Sequence, residues 1–410
     1  LVGFKEEELP YIGLLTRVLG KLDTQSYSYE ELDKEINLYT GGIQVTLSIY
    51  GENGNPKSCL PKLSIRGKSL TEQVPKLLEL MGEIIKHSRY MDASRLKDLI
   101  GETKSRLEMG IMSQGHVVAA NRAESYFSPM AYYQEQTQGI SFYQFIAHID
   151  QYFEEKQEEV MGKLQEITDK IFHSTNLLVS LTGEEEEYKA FEAHFLSFLK
   201  DLSKEVIEKQ PISFSLKNKN EGILTSGKIQ YVAKAANFIE LGHSYTGVLQ
   251  VLQTIASLDY LWKEVRVSGG AYGCMAGFSR SGNMYLTSYR DPNLKETLQV
   301  YNKMHEYIRN FKTDEREMRK YIIGTMSRID FPLSPMMKGE KALAYYISGI
   351  TPEDVQRERE EILGTTVEKI QEMEDLIKDS MGQEYICVVG NENKLKGNKE
   401  IFKELVELFQ

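Results

Sequence analysis

The feature that most constrains this chain is an internal duplication, because two copies of one structural unit leave few folds open. In the first half, a helical pattern ends near Leu38, a turn with two glycines comes next at 39–43, and residues 44–50 alternate as in a half-buried strand. The second half repeats this order. Its helical pattern, glycine turn and two strand segments are residues 246–264, 267–273, 274–278 and 284–289.

The similarity continues to the end of each half. A Gly-Ile pair at 139–140 and another at 349–350 each introduce a long charged helical segment. Apolar segments then close the halves, at residues 176–183 in the first and 385–390 in the second, and both have the composition of strands. The repeating unit is therefore a helix, a pair of strands, several helices and a last strand.

This unit predicts the fold class and the division into domains. A chain of 410 residues exceeds the size at which one hydrophobic core keeps growing, so two domains are expected. Paired strands separated by helices indicate an α+β protein of two tandem homologous domains, each a mostly antiparallel sheet with helices packed on it. The boundary is predicted near residues 218–222, which gives domains at 1–217 and 218–410.

One helical segment shows which residues are predicted to enter the core. Its apolar residues recur at three- and four-residue spacings, which marks one face of an amphipathic helix. These residues are Val248, Val251, Leu252, Ile255, Leu258, Leu261 and Trp262. We expect the whole face to be buried.

Composition and charge exclude several classes of protein. Hydrophobic residues at 41% and charged residues at 27% are ordinary for a soluble globular protein. The net charge is −11 and no block rich in Lys and Arg is present, so nucleic acid is not an expected partner. No apolar stretch has the length that a membrane-spanning helix needs, so no membrane is expected either.

The cysteines and the start of the chain bear on its setting. Cys59, Cys274 and Cys387 lie far apart and are odd in number, so they predict neither a disulfide framework nor a metal-binding pair. This favours a reducing, cytoplasmic setting. The chain begins at Leu1 without a methionine or a signal-peptide pattern, so we expect it to be a piece of a longer protein.

The histidines do not form a metal-binding motif. A helical zinc peptidase site needs two histidines one turn apart, with a carboxylate between them to activate water. Even the closest of the seven histidines, His173 and His194, are several turns apart in sequence. No metal site is therefore expected in this chain. His116, which lies among residues typical of a helix start, is interpreted as making a structural hydrogen bond.

Motifs for other chemistries are also missing from the sequence. The chain has no GxSxG nucleophile elbow, and neither Cys274 nor Cys387 has an activating partner nearby in sequence. The glycine-rich residues 269–273 come after a helix and lack the lysine of a phosphate-binding loop. We therefore predict no catalytic residue in this chain.

The segment that can bind a ligand is the turn after the second helical pattern. Arg266 precedes Gly269 and Gly270, and Tyr272 comes after them at the start of a strand. Glycines permit close approach of another chain, while guanidinium and phenol groups donate hydrogen bonds to a peptide carbonyl or a developing oxyanion. The structural alternative is a helix end stabilised by Arg266 with Tyr272 packed beside it, and the pattern alone favours that alternative.

Several motifs resemble one family of enzymes. The segment at 262–273 strongly resembles the insulinase/pitrilysin family of zinc metallopeptidases, in particular its presequence-protease branch. Further matching segments, which extend the resemblance over nearly the whole chain, are residues 27–33, 39–42, 122–129, 135–140 and 289–293.

The resemblance implies a specific place for this chain in such an enzyme. Members of the family have four homologous α+β domains in two halves, which close around a chamber. The two repeats resemble domains three and four, with a processing-peptidase-like fold. The HxxEH motif and the distant glutamate that bind zinc belong to the amino-terminal half, and they are absent here, as expected for a carboxy-terminal half.

The resemblance also assigns roles within the chain. In the family an arginine and a tyrosine of the carboxy-terminal half reach the bound peptide near the zinc ion, and the matching residues are Arg266 and Tyr272. Gly269 and Gly270 are expected to be backbone neighbours of that site. The complete enzyme would use zinc held by the amino-terminal half, on the same polypeptide or a partner chain, to hydrolyse short unfolded peptides.

A second hypothesis is that the chain is a separate inactive partner subunit or scaffold, because the family also includes such proteins. The presence of both Arg266 and Tyr272 favours the first hypothesis, since a purely structural subunit has no need of that donor pair. A metal-independent enzyme of another class has no motif in its favour.

Overall fold

A computed structural model describes Leu1 and residues 3–200, 202–204 and 213–409. The first part of the chain is mostly helical and contains one pair of strands. Helices α1 to α4 are Leu9–Val18, Tyr29–Tyr39, Val74–Lys86 and Ala93–Ser113. Helices α5 to α9 are Gly115–Glu124, Pro129–Gln138, Ile140–Gln151, Phe153–Ile171 and Glu185–Lys200. Strands β1 and β2 are Ile43–Tyr50 and Leu60–Gly67.

The second part contains a larger sheet. Strands β3 to β8 are Glu221–Thr225, Gln230–Asn237, Gly273–Phe278, Asn283–Tyr289, Tyr385–Asn391 and Glu404–Glu407. Helices α10 to α13 are Val248–Ile255, Lys295–Arg309, Glu315–Ile329 and Pro335–Ser348. Helices α14 to α17 are Pro352–Leu363, Val367–Gln371, Glu374–Gly382 and Glu392–Lys396. Short 3₁₀ helices lie at Glu6–Glu8, Thr71–Gln73, Ser174–Asn176 and Lys399–Ile401.

Local sequence explains where several helices begin. The Ser28 hydroxyl accepts a hydrogen bond from the Glu31 N–H, and the Glu31 carboxylate accepts one from the Ser28 N–H, which is a capping box at the start of α2. Ser128 caps α6 in front of Pro129, and Thr351 caps α14 in front of another proline. Because proline has no N–H to leave unpaired in the first turn, it suits these positions.

The large sheet has the strand order β5-β6-β4-β7-β3-β8. Strands β5, β6, β4 and β7 pair antiparallel, whereas β3 pairs parallel with both β7 and β8. The mostly antiparallel α+β class predicted from the sequence is confirmed. The predicted strand bounds in this part are also confirmed to within a few residues.

Both faces of this sheet are covered. In β4, Val232 and Ala236 face a core formed with helices of the second part, among them α10, α11 and α16. The alternate residues Ala233 and Ala235 face Ala123 and its neighbours on α5. Since side chains alternate between the two faces of a strand, a strand buried on both faces carries apolar residues at nearly every position. Helix α5 of the first part therefore packs on one face of the large sheet.

A buried ion cluster joins the two parts of the chain. The Arg122 guanidinium on α5 binds both carboxylate oxygens of Glu221 at 2.7 and 2.8 Å, and it donates to Glu135 at 2.7 Å and to Ser141 at 2.8 Å. The Tyr126 hydroxyl donates to the same Glu221 carboxylate at 2.8 Å. Arg122 and both carboxylates are at most 5% exposed. This arrangement fixes α5 and α6 against the start of β3.

The closing strand predicted at residues 176–183 is wrong. After the 3₁₀ turn at Ser174–Asn176, the chain runs without strand pairing, and Leu177, Leu178, Val179 and Leu181 are 42–47% exposed. The corresponding β7 of the second part lies between β4 and β3, which supply hydrogen bonds on both sides. In the described residues of the first part, β1 and β2 form a separate two-stranded sheet, so the segment has no neighbouring strands of this kind.

The predicted apolar face after α10 is correct in part. Val248, Leu252 and Leu261 are buried, but Leu258 is 62% exposed and Trp262 is 41% exposed. The cause is the backbone, which continues from α10 in π-helical geometry over Ala256–Tyr260 and Trp262–Ser268. The hydrogen bonds of a π helix join residues five apart. A face predicted from 3.6 residues per turn therefore does not continue through this segment.

Candidate functional site

The candidate site lies where the π-helical segment ends and β5 begins. Gly270 N–H donates to the Arg266 carbonyl at 2.9 Å, and Ala271 N–H donates to the Val265 carbonyl at 3.1 Å. Tyr272 N–H donates to the Tyr289 carbonyl at 2.9 Å, which anchors the turn to β6. The hydrogen bond between Ala271 and Val265 closes the turn. The side chains of the next residues, Tyr272 and Arg266, therefore start from nearby positions on the backbone.

Two glycines make this turn possible. Gly270 has φ of 81°, a conformation that residues with a side chain rarely adopt. A Cβ atom at Gly269 would lie 2.6 Å from the Val265 carbonyl oxygen, so any side chain there collides with the helix end. The Asn293 side-chain amide donates to the Gly269 carbonyl and holds the turn from the other side. The backbone of this turn therefore requires glycine at positions 269 and 270, the two residues predicted to lie beside Arg266.

The side chains of Arg266 and Tyr272 both carry hydrogen-bond donors. The Arg266 guanidinium lies over the Trp262 ring, with 3.8 Å between the guanidinium carbon and the ring centroid. In the described part of the chain, Arg266 makes no side-chain hydrogen bond or ion pair, and neither does Tyr272, which is 70% exposed. Stacking on Trp262 is a contact of Arg266 with the helix end, as the structural alternative expects, whereas the exposed Tyr272 is not packed as that alternative expects.

The nearby thiol does not add a nucleophile to the site. Burial raises the pKa of Cys274 to about 11, although the positive charge of Arg266 acts in the opposite direction. A thiol with this pKa is protonated at neutral pH and is a weak nucleophile. The turn therefore carries hydrogen-bond donors and no activated nucleophile.

His116 does not make the structural hydrogen bond expected from the sequence. Its ring packs edge-on against Tyr289, with centroids 4.9 Å apart, and its Nδ1 is buried without a partner. Its role is aromatic packing of α5 against the sheet, and burial lowers its pKa. Its backbone carbonyl accepts a hydrogen bond from Thr287 at 3.3 Å.

Two properties of the described residues bear on metals and membranes. The described residues contain no group of three or more His, Cys, Asp or Glu side chains arranged to hold a metal ion. Among these same residues, no helix has both the length and the apolar character needed to cross a membrane.

Sequence reasoning missed two features of this region. The π-helical geometry that directs Arg266 has no signal in a 3.6-residue pattern, although such geometry is common at functional sites. The ion cluster was also missed, although Arg122, Tyr126 and Glu135 all lie within motifs singled out above. An arginine and a glutamate near predicted helix boundaries could have suggested an ion pair, but the third member, Glu221, is distant in sequence.

Comparison with known proteins identifies the class of protein that has this fold. The family model for the region associated with peptidases of subfamily C of family M16 matches residues 1–149, and the model described as "PreP C-terminal domain" matches residues 220–392. The fold and these two matches define the class of the chain as regions of M16 peptidases. The chain belongs to the M16 peptidase family, in which it corresponds to the carboxy-terminal part.

Individual relatives agree with this assignment. Protein HypA of Clostridium perfringens is 41% identical over 98% of this chain, and the match covers 41% of that protein. Presequence protease 1, chloroplastic/mitochondrial, of Arabidopsis thaliana is 30% identical over 92% of this chain, and the match covers 35% of that protein. The chain thus spans well under half the length of these curated relatives.

Solved structures support the fold. A structure titled as a peptidase M16 inactive domain from Pseudomonas fluorescens aligns with a TM-score of 0.57 over 92% of this chain and 87% of that chain. The sequences are 14% identical, so this likeness concerns the fold. It extends over both parts of the molecule.

Proposed function

We propose that this chain is the non-catalytic carboxy-terminal half of a zinc metalloendopeptidase that degrades short unfolded peptides in a closed chamber. In this proposal Arg266 and Tyr272 bind the peptide and support the transition state. The observation that carries it is the presence of two side chains with unused donors at a rigid glycine turn, in a chain that belongs to a peptidase family. The catalytic half is proposed to lie on the same polypeptide or on a partner chain.

The contacts of the turn support the role of the arginine. Stacking on Trp262 restricts the Arg266 guanidinium to a plane, so less side-chain entropy is lost when it binds a carbonyl oxygen. The hydrogen bond from this guanidinium strengthens as negative charge develops on that oxygen. Tyr272 would add a phenolic donor from the strand side of the turn.

The residues of this chain do not fit a zinc site. The sequence has no HxxEH motif, and the described residues contain no cluster of metal-binding side chains. In the proposal zinc is bound by the amino-terminal half, and this chain supplies no ligand to it. Its contribution is to bind and orient the peptide.

The setting and the domain division belong to the same proposal. Free cysteines at positions 59, 274 and 387 fit a reducing compartment such as the cytoplasm. We also propose that residues 1–217 and 218–410 are the two homologous domains of this half. The partners in this scheme are the catalytic half and peptide substrates.

The test uses the complete enzyme with its catalytic half and a short fluorogenic peptide. Arg266→Ala should lower kcat/KM about a hundredfold, which is the usual effect of losing one transition-state donor. Tyr272→Phe should lower it about tenfold, because a single neutral hydrogen bond is lost. Arg319→Ala on α12 is the matched control, since this exposed arginine pairs with Glu315 on the surface.

The outcomes separate the hypotheses. Unchanged kinetics for Arg266→Ala, with or without a lower melting temperature, would remove Arg266 from the site and favour the structural alternative or a scaffold. A loss confined to the Arg266 and Tyr272 variants supports the peptide-binding role.

A further inference from the structure

The two-stranded sheet of the first part has an open edge at β2. In the large sheet, β6 lies between β5 and β4, and β4 lies between β6 and β7. The internal duplication matches β1 and β2 to β5 and β6, and it matches residues 176–183 to β7. Among the described residues of the first part, no strand takes the place of β4 or of β3. The sheet is therefore open where a neighbour of β2 is expected.

The start of the chain lies at this edge. The Leu1 nitrogen donates a hydrogen bond to the Pro61 carbonyl of β2 at 3.0 Å. Strand β1 occupies the other side of β2, so this bond is on the open side. Because backbone groups alternate in direction along a strand, Leu63 and Ile65 also direct their N–H and C=O groups to the open side. The edge thus presents unpaired backbone groups in the spacing of a β ladder.

The counterpart of Leu1 in the second part is a residue of β4. Each half has a Tyr-x-Gly sequence at its first helix, at residues 11–13 and 245–247. Leu1 and Ala235 lie the same number of residues before these two sequences. Ala235 is the antiparallel partner of Tyr285 on β6. Leu1 therefore corresponds to a residue through which β4 pairs with the hairpin.

The counterpart of Tyr285 in the first part is Pro61. Glycine pairs at residues 41–42 and 269–270 come before β1 and β5. With these pairs in register, the strand pairing across each hairpin makes Pro61 equivalent to Tyr285. The contact of Leu1 with Pro61 thus lies where β4 pairs with β6. Two correspondences from separate places in the sequence agree on this position.

Helix α13 holds β2 and the segment 176–183 close to each other. Arg66 of β2 forms an ion pair with Glu340 on α13 at 2.6 Å. The neighbouring residue Gly339 lies so close to Thr182 that an added Cβ atom would be 1.8 Å from the threonine hydroxyl. Consecutive residues of one helix therefore contact both elements that would flank a strand equivalent to β4.

The segment 176–183 exposes an apolar surface that its counterpart buries. On β7, Val388 and Val389 are at most 1% exposed, because strands lie on both sides. In the segment the exposed fractions are 42–47% for Leu177, Leu178, Val179 and Leu181. A contiguous exposed apolar stretch beside an open sheet edge is typical of a surface that another strand covers.

We propose that two β-strands formed by the residues immediately before Leu1, on the same polypeptide, complete the first sheet. The strand that continues into Leu1 pairs antiparallel with β2 on one side and with residues 176–183 on the other, as β4 pairs with β6 and β7. The second strand pairs parallel with residues 176–183, as β3 pairs with β7. The match to Protein HypA covers 41% of that relative, which leaves room in it for such a segment.

The position of Leu1 favours this occupant over a second copy of the chain. An open edge is also a template for a strand from another molecule. Leu1 already occupies the edge at Pro61, so a strand from another molecule would have to displace it. A residue that precedes Leu1 continues along the edge without any displacement. The inference does not depend on the peptide-binding role of Arg266.

Disulfide formation in the complete protein tests the proposal. From the contact of Leu1 with Pro61, an antiparallel strand places the third residue before Leu1 opposite Ser64. Ser64→Cys combined with a cysteine at that upstream position should form a disulfide within one chain, because such partners bring their Cβ atoms to about 5 Å. Thr46→Cys with the same upstream cysteine is the control. Thr46 pairs with Ser64 from β1, so it lies one strand further away and should be cross-linked at least about tenfold less.

Hydrogen exchange of the unmodified complete protein is a second measurement, and it does not depend on whether the variants fold. With neighbours on both sides, Leu60–Gly67 should exchange at least about tenfold more slowly than the edge strand Ile43–Tyr50. The proposal is overturned by equal exchange in the two strands, by a disulfide between two chains, by equal cross-linking of the two variants, or by a complete protein without residues before Leu1. None of these readouts is peptide hydrolysis, so failure of the proposed peptidase function would leave them unaffected.

Discussion

Two charged residues in the last turn of α5 have opposite surroundings. Arg122 is bound on all sides by Glu221, Glu135 and Ser141. Glu124 faces a cavity and has no partner among the described residues. Both lie at the joint between the two parts of the chain. The same helix end therefore carries one charged group in a closed polar network, which fixes the fold, and one charged group without a protein partner.

The closed network gains from its shared bonds, although the Oε2 atom of Glu135 has no hydrogen-bond partner among the described residues. Within a buried site each hydrogen bond acts in a low dielectric, and the loss of one member leaves the others unpaired. Burial raises the pKa of Glu221, but the hydrogen bond and charge of Arg122 outweigh it, so this pKa lies below the ordinary value of 4.5. The carboxylate therefore stays ionised at neutral pH, in contrast to Glu124.

The largest expected effect comes from opening the closed network. Arg122→Met leaves Glu221 and Glu135 buried without their cation, and it should lower the free energy of unfolding by about 3–5 kcal/mol. Urea denaturation measures this change. Lys97→Met is the control, because Lys97 and Glu154 form an exposed pair that water screens, and a much smaller loss is expected there. Equal losses in the two variants would contradict the distinction.

The next effect has the opposite sign. Because the pKa of Glu124 is about 7 when folded and near 4.5 when unfolded, its contribution to stability falls as pH rises from 4.5 to 7 and stays low above that. Glu124→Gln should abolish this dependence and stabilise the fold above pH 7. Tyr285 and Arg328 also face the cavity, and neither titrates in this window.

Unfolding curves of wild type and Glu124→Gln at pH 5 and pH 8 provide the measurement. The two proteins should differ more at pH 8 than at pH 5. A constant difference would mean that Glu124 titrates normally and that the cavity imposes no cost on its charge.

A smaller effect is expected from removing a single hydrogen bond of the closed network. Tyr126→Phe removes one hydrogen bond to Glu221 and should cost about 1 kcal/mol at neutral pH. The lowered pKa of Glu221 stabilises the fold above pH 4.5, and this stabilisation is lost as pH falls through the folded-state value. The variant should therefore begin to lose stability at a higher pH than wild type in acid titration. An unchanged acid transition would mean that the hydroxyl does not support the carboxylate.

The sequence was sufficient for features that depend on short segments. Strands β1, β5, β6 and β7 occur where alternation and turns predicted them, and the turn with Arg266 and Tyr272 links a helix to a strand as expected. These features result from local periodicity and from glycines that the backbone requires. The resemblance added the family, and it is the source of the roles proposed for Arg266 and Tyr272.

Features that depend on distant partners were beyond the sequence. The apolar residues 176–183 have the composition of a strand, but strand formation depends on neighbouring strands, which the described first part does not provide for them. The pairing of Arg122 with Glu221 and the cavity at Glu124 arise only when α5 packs on the second sheet. Each depends on contacts between residues far apart in the chain.

The π-helical run from Ala256 to Ser268 has a consequence at the level of the gene. A π turn holds roughly one residue more than an α turn, and each residue advances a helix by about 100°. Deleting a single codon in this run would convert one π turn into an α turn that makes the same rotation, so the residues after it, Arg266 included, would keep their direction. The direction of this side chain is therefore protected against a change of one residue in the length of the segment before it.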